Sequence, residues 1–529
     1  MAKTYDAIIV GGGHNGLVCA TYLAKAGLGV LVLERRRILG GACVTEKIAG
    51  CQVSRASYVS SLFPPRIIGD LNLHYFGLRL LERNPPSFTP FLDGSYLILH
   101  QEMAKTQAEI TRFSEKDAHK YPLYEAKLDR VVKFVELWLF QTPPDPTKKR
   151  DWYKLAKLGL KALGLKQDLT TLTELFSLSA YDFVRKHFES DILIATLCTD
   201  GIIGSVGGPF CPGTAYVLLH HVMGEINGYR GRWGYVQGGM GGLTMAIKKS
   251  FVALGGSYMT GAEVHEILVG TNLVGNNKAV GVVLVDGQMF YSKIVVSGVD
   301  LYNTFDKMLA NVGLPAEFSR GLKAIDYRSA TSKINLVVAG ELKFNCYKGL
   351  VPGTFHICED VAYMERAADC AKQGRVSDDL VIEGCIPSVV DDTLAPLGKQ
   401  VISLMVQYTP YCLAEGIWDE IQKQELLNKV IAKLAHYTNI KSLEILATDV
   451  ISPWDLEQEF SLTGGNLFHG MMNLSSLFCF RPVLGFANYR TPISGLYLCS
   501  SATHPGGGVT GIPGHNAARE ILKDRRWYK

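Results

Sequence analysis

The chain has 529 residues, 47% of them hydrophobic and 20% charged, which excludes a disordered or fibrous protein and leaves ample sequence for several packed domains. With 54 Lys and Arg against 50 Asp and Glu, the net charge of +4 falls well short of a nucleic-acid-binding domain. That charge is uneven: Lys148–Lys166 alone carries a net +6, and the rest of the chain sums to −2.

The first element is an apolar strand, Ala7–Val10, and it has begun too early for a signal or transit peptide to fit ahead of it. Gly11-Gly12-Gly13-His14-Asn15-Gly16 follows as G-x-G-x-x-G, then a helix over Leu17–Ala26 closed by Gly27, then a second strand over Gly29–Leu33 ending in Glu34. Together these make a βαβ dinucleotide-binding unit. Gly11 permits the tight turn, Gly13 lets backbone approach the pyrophosphate, and Gly16 lets the helix pack on the strand. The helix N-terminus offers N–H groups to the phosphates, and Glu34 accepts the ribose hydroxyls. Arg35–Arg37 would suit a 2′-phosphate that Glu34 repels, so the fingerprint leaves FAD and NAD open. The next residues, Leu39-Gly40-Gly41-Ala42, favour FAD: a glycine doublet there lets backbone run close to a ligand that extends past the first pyrophosphate contact.

Further along, 104–195 reads as mainly helical, 244–254 as a helix after the glycine-rich 234–243, and 280–285 with 294–297 as strands. Strands are also expected at 332–339, 380–387 and 400–409, with a helix at 426–436. The pattern predicts an α/β protein. Its Rossmann-like FAD-binding domain is split into 1–75, 233–305 and 486–529, and an α+β substrate domain with a helical insertion is interleaved at 76–232 and 306–485. No second nucleotide fingerprint, internal repeat or metal-ligand spacing is present. Electrons would therefore leave to a quinone, oxygen or a protein rather than to a bound pyridine nucleotide. The 12 cysteines include no C-x-x-C pair and read as reduced thiols of a cytoplasmic protein. The two longest uncharged runs, 201–224 and 461–480, are broken by glycine, proline, asparagine and serine, so neither is expected to cross a bilayer.

E-R-R-R-I-L-G-G-A at 34–42 resembles the glycine doublet of the amine-oxidase and phytoene-desaturase superfamily of FAD enzymes. A-S-Y-V-S-S-L (56–62), Y-V-L-L-H-H-V-M-G (216–224), W-G-Y-V-Q-G-G-M-G (233–241) and A-T-H-P-G-G-G-V (502–509) bring the match closest to the carotenoid ketolase-like and pyridine nucleotide-disulfide oxidoreductase domain-containing proteins. The resemblance spans nearly the whole chain. It implies a GR2/amine-oxidase-type FAD domain in which Arg35, Gly40, Gly41 and Ala42 line the cofactor and the backbone of Val264 meets the adenine. The segment with Ala502, Gly506, Gly507, Gly508 and Val509 passes the flavin. Two departures stand out. Cys43 has no redox partner nearer than Cys51, and Ala502 stands where many amine-oxidase-like proteins place an acid for the ribityl chain.

The resemblance also implies a lipophilic, carotenoid-like substrate oxidised by hydride transfer to flavin, with amine oxidation as the alternative. A third reading is a flavin-containing binding protein for lipidic partners, as in Rab-escort and GDP-dissociation-inhibitor proteins. His504, beside the expected flavin turn, reads either as an acid/base or flavin contact or as a residue that shapes the turn before Pro505. His220 and His221 are adjacent and diverge on a helix or strand, which predicts one in the core and one on the surface. Ser461–Phe480, rich in Met and Phe, reads as a substrate tunnel or as ordinary core. Arg481 reads as a structural ion-pair member. If Lys148–Lys166 is a helix, Arg150, Lys154, Lys157 and Lys161 share a sector of about 60°. That suits either a peripheral membrane helix or a solvated helix with its apolar side on the core. The C-terminal Lys523–Lys529 adds a second basic patch with two aromatics.

Overall fold

A computed structural model describes residues 4–271, 275 and 277–527; of the C-terminal patch, Tyr528, Lys529 and the side chains of 526 and 527 lie outside the described residues. The elements that position the site are, in chain order, β1 (Ala7–Val10), α1 (His14–Lys25), β2 (Val30–Glu34), α2 (Glu115–Leu139), α3 (Trp152–Leu163), α4 (Thr214–Val222), α5 (Gly241–Ala253), β3 (Ser257–Thr260), β4 (Val264–Thr271), β5 (Asn277–Leu284) and β6 (Val295–Ser297). They continue with β7 (Thr331–Ala339), β8 (Thr354–Ile357), β9 (Val381–Cys385), β10 (Lys399–Gln407), β11 (Glu444–Ile451), β12 (Leu496–Leu498) and α6 (Ile512–Trp527).

The dinucleotide lobe is a five-stranded parallel sheet in the order β3-β2-β1-β6-β12, drawn from three distant parts of the chain. Such a sheet is covered on both faces, so its strands are apolar throughout rather than alternating. Ala7, Ile9, Val30 and Val32 point to one side, against Leu17 and Leu23 of α1, Ile247 of α5 and Ala517 of α6. Ile8, Val10, Leu31 and Leu33 point to the other, against β4, β5 and the 301–318 segment. Helix α1 starts at His14 rather than Leu17, because Gly13 already has an extended N-cap conformation. α6 crosses α1 closely: a side chain at Gly514 would lie 2.1 Å from the Asn15 carbonyl oxygen.

The second lobe is an antiparallel sheet in the order β8-β9-β10-β7-β11, with Ile334, Leu336, Ile382, Leu404 and Val406 forming a core against Leu426, Val430 and Leu434 of the helix Glu420–Tyr437. The helical segment from α2 to α4 carries its own core, built on Val131, Val132, Phe183, Leu218 and Leu219. Among the described residues no helix is long and apolar enough to cross a membrane.

Candidate active site

A cavity of about 450 Å³ lies at the C-terminal edge of the parallel sheet and runs toward the second lobe. Parallel α/β sheets place ligand sites at this edge, beyond the strand ends. The three fingerprint glycines have separate jobs here. Gly11 takes φ +95°, and a Cβ at Gly16 would sit 2.2 Å from the Gly11 carbonyl oxygen, so these two serve the turn and the packing. Gly13 has an ordinary φ of −68°. A Cβ there would meet only the Gly41 Cα, at 3.9 Å, so its open side faces the cavity.

Glu34 ends β2 on the cavity wall, accepting from the Gly12 amide at 2.8 Å and the Arg36 amide at 2.9 Å. Burial raises its pKa and these two amides pull it back. Arg35 also lines the cavity, but its guanidinium donates to the carbonyls of Gln458 and Glu459 and ties the two lobes together. Gly41 and Ala42 line the cavity, whereas Gly40 does not: its N–H donates to the Gly12 carbonyl at 2.9 Å, and a Cβ on it would lie 2.5 Å from the Cys43 carbonyl oxygen. The doublet is therefore required first by the close approach of two stretches of the protein's own backbone. Val264 opens β4 on the cavity wall, where the register with β5 skips His265; the irregularity turns both residues into the cavity.

The amides of the second glycine-rich stretch are already occupied. Gly238 donates to Asp391, Met240 to Ser54 and Gly241 to Thr45, which leaves this helix start no anion site.

From the C-terminal segment, Gly508 and Val509 reach the cavity, together with Ser501, which sequence reasoning did not single out. Asn15 donates to the Ser501 hydroxyl at 3.1 Å. Ala502 is buried behind the wall. Gly506 takes φ +124°, and a Cβ at Gly507 would lie 2.3 Å from Phe468, so these two shape the turn. His504 is not on the cavity wall. Its Nε2 lies 3.0 Å from the Trp138 carbonyl oxygen and its ring lies edge-on to Phe478, so this placement supports the turn-shaping role and not acid/base work.

Five other histidines do line the cavity: His14, His220, His221, His265 and His469. The expectation for the adjacent pair fails, because both rings are buried. Thr214 through His221 is buried on every side inside the helical core, so a helix-face argument has no solvent face to work with. His220 contacts the Gly507 carbonyl at 3.2 Å and His221 stacks on Trp233. Burial drives the imidazoles of His14, His220, His221 and His469 below their usual value, His14 to about 4 and His220 to about 3, so these are neutral at physiological pH. Asn15 Oδ1, Arg36 Nη1, His220 Nδ1 and His469 Nδ1 are buried atoms of cavity-lining residues with no hydrogen-bond partner among the described residues. Unsatisfied buried polar atoms are costly, and their convergence on one cavity fits a ligand rich in hydrogen-bonding groups.

Leu62, Ile203, Trp233, Met405, Leu467 and Phe468 complete the end remote from Glu34. Leu462, Phe468 and Met472 of the uncharged 461–480 stretch are buried, and Ser461, Leu462, Leu467, Phe468 and His469 line the cavity, so this stretch is both core and wall. Arg481 forms no ion pair among the described residues. Instead its buried guanidinium donates to the carbonyls of Phe468, Met471, Ser476 and Ser501.

Behind Tyr58, a cavity-wall residue, lies a buried polar cluster that the sequence did not reveal, with Arg83, Asp200, Lys333 and Glu383. Its single visible signal is a lysine inside the apolar run S-K-I-N-L-V-V-A of β7. Lys333 Nζ donates to Asn335 at 2.8 Å and to Ser403, and stands 4.8 Å from the Tyr58 ring centre. Burial lowers its pKa to about 7 from 10.5. Between these values the unfolded chain holds more protons than the native one. Native stability therefore rises as pH climbs from about 7 to 10.5, and it is lost as pH falls back through 7. Lys333→Met is expected to abolish that slope and to raise stability below pH 7, as read from urea midpoints across the range. An unchanged slope would contradict this assignment.

Residues 9–67 match the NAD(P)-binding Rossmann-like domain family. A solved putrescine oxidase variant superposes with a TM-score of 0.60 at 16% identity, covering 99% of each chain. Fold and site together define the class as a flavin-type oxidoreductase with the amine-oxidase fold. Within that class the chain belongs to the family of pyridine nucleotide-disulfide oxidoreductase domain-containing protein 2. The mouse protein of that name is 40% identical, over 98% of this chain and 94% of its own length. More distant relatives include a limonene dehydrogenase polypeptide of Castellaniella defragrans, at 25% over 99% and 95%, and a lycopene-forming phytoene desaturase of Pseudescherichia vulneris, at 24% over 97% of each. The 12 cysteines are free in the structure, and burial pushes the Cys43 thiol up to about 12, away from a reactive thiolate.

Proposed function

We propose that the chain is an FAD-dependent oxidoreductase that removes hydride from a neutral, lipophilic substrate, in the manner of a desaturase or dehydrogenase. Bound FAD supplies the hydride acceptor, and a quinone or oxygen then takes the electrons. Gly11–Gly16, Glu34 and Val264 would hold the adenosine and pyrophosphate, while Asn15, Ser501 and the Gly508–Val509 backbone would hold the remainder of the cofactor. The observation that carries the substrate reading is the apolar part of the cavity lining, where Leu62, Ile203, Trp233, Met405 and Phe468 stand with the neutral His220 and His221, whereas the lining carboxylates Glu34, Glu263, Glu457 and Glu459 belong to the end of β2, the residue before β4 and the 453–460 helix. Such a surface desolvates an apolar molecule at no ionic cost. The names of the limonene dehydrogenase and phytoene desaturase relatives point the same way.

Amine oxidation draws on one feature, the carboxyls of Glu383 and Asp200. Both lie behind Tyr58 with pKa values raised by burial, Asp200 to about 6. The test is anaerobic reduction of the purified holoprotein by terpenoid and polyene hydrocarbons and by primary and secondary amines. Bleaching of the flavin by hydrocarbons and not by amines is expected. Bleaching by amines alone would overturn the substrate reading, and bleaching by neither would favour a binding protein.

A further inference from the structure

The site leaves one conspicuous surface unused. Helix α3 spans 12 residues, and none of them is buried. At 100° per residue it has three faces. Leu155, Leu158 and Ala162 are half-buried and lie on one. Lys154, Lys157 and Lys161 make the second. Trp152, Ala156, Leu160 and Leu163 make the third, open to solvent, with Trp152 56%, Leu160 70% and Leu163 63% exposed. Tyr153, 68% exposed, sits between the apolar and basic faces. The choice between a membrane helix and a solvated helix resting on the core thus resolves into a helix that does rest on the protein, by one narrow face, and leaves its widest apolar face uncovered.

The surrounding charge is mostly uncompensated. Lys148 and Lys154 pair with Asp145 and Asp151, but Lys149, Lys157 and Lys166 form no ion pair among the described residues. The C-terminal patch differs: Lys523 is held by Glu520, and Asp524 by Arg490.

We propose that α3 docks this protein on an anionic bilayer, its Trp152–Leu160–Leu163 face entering the interface and its lysines meeting the lipid headgroups. The charge complementarity selects this occupant. An exposed apolar stripe bordered by free lysines, with Trp and Tyr at one end, matches a surface that offers acyl chains and negative charge side by side. The position is functionally apt as well. Lys161 lies 5.6 Å over the ring of Trp138, and the next two residues of the chain, Leu139 and Phe140, line a second cavity of about 350 Å³. That cavity shares Ser61, Leu62 and His220 with the wall of the main one. Docking does not rest on the substrate reading, since vesicle binding is measured without substrate.

The test is co-sedimentation of the full chain, with whatever cofactor it carries, with vesicles of phosphatidylcholine alone and of phosphatidylcholine mixed with phosphatidylglycerol, at low and raised salt. Two variants, Lys149→Glu/Lys157→Glu/Lys166→Glu and Leu160→Ser/Leu163→Ser, change only exposed side chains away from both cavities, and their melting temperature and visible spectrum report that the fold is kept. The parent is expected to bind the anionic vesicles and release in salt. The charge variant should lose affinity by about a hundredfold and the leucine variant by about tenfold. Absence of parental binding to anionic vesicles at low salt, or binding unaffected by the charge variant, would overturn the proposal. So would a concentration-dependent dimer that disappears in the leucine variant without any vesicle binding, because the face would then belong to a second copy of the chain.

Discussion

Gly13→Val is expected to give a folded protein that carries no flavin. The backbone at Gly13 has φ −68°, which any residue adopts, and a Cβ there meets nothing of the protein closer than the Gly41 Cα at 3.9 Å. The side chain would project into the room proposed for the pyrophosphate, between the start of α1 and the glycine doublet. Sheet and helix keep their packing, so the variant should melt where the flavin-stripped parent melts. Relative to the flavin-loaded parent it forgoes the linkage term, about 2.7 kcal/mol at a hundredfold excess over Kd. The neighbouring Gly16→Ala behaves differently, because its Cβ would be driven to 2.2 Å from the Gly11 carbonyl oxygen. That variant should fail to fold whether or not flavin is supplied. Absorbance and thermal melting of the two variants, with and without added FAD, separate a cofactor glycine from a packing glycine. A Gly13→Val protein that retained a full flavin spectrum would show that the pyrophosphate lies elsewhere.

Arg481→Ala should be strongly destabilising. The guanidinium is buried and donates to the Ser501 carbonyl from Nε at 3.0 Å and Nη2 at 2.8 Å, and to the carbonyls of Met471 and Ser476 from Nη1 at 3.2 Å each. It also reaches the Phe468 carbonyl. It thereby pins the 468–476 loop, which supplies part of the cavity wall, to the strand end that carries Ser501. Burial lowers its pKa to about 10, so the charge persists at neutral pH and each bond to it is charge-assisted. Truncation orphans several buried carbonyls at about 1–3 kcal/mol each and opens a cavity besides, for a loss of roughly 4 kcal/mol or more. Arg481→Met separates the two terms by refilling most of the volume while leaving the carbonyls unpaired. It should recover only a minor part of the loss in denaturant unfolding. Full recovery by methionine would show that the arginine acts through packing alone.

The dinucleotide lobe was legible because its information is local. The turn, the helix start and the acid at the end of β2 fall within the first 34 residues, and the steric demand on Gly16 comes from the Gly11 carbonyl five residues before it. The remote end of the cavity was not legible for the opposite reason. Tyr58, His220, Met405 and Phe468 come from four distant segments, and only the packing of the helical insertion against both sheets brings them together. His220 and His221 were misread because the helix rule assumes a solvent face that α4 lacks. His504 kept two readings open because proximity in sequence to a glycine turn does not fix which way a ring points; here it points toward Trp138. Arg481 was expected to pair with a carboxylate, whereas backbone carbonyls from the loop just before it satisfy the charge. Lys333 left a readable trace, a cation in a strand whose other positions are buried and largely apolar. β11 left a weaker one, because E-I-L-A-T-D-V-I mixes charges into a half-buried edge strand.

The most direct test of the account is the cofactor itself. The purified chain, saturated with FAD and then freed of excess, should show the visible spectrum of a bound flavin and release one FAD per chain on denaturation. The Gly13→Val chain treated the same way should release none. A parent chain that stays colourless after saturation, or that retains NAD in preference to FAD, would contradict the central claim that this cavity is a flavin site.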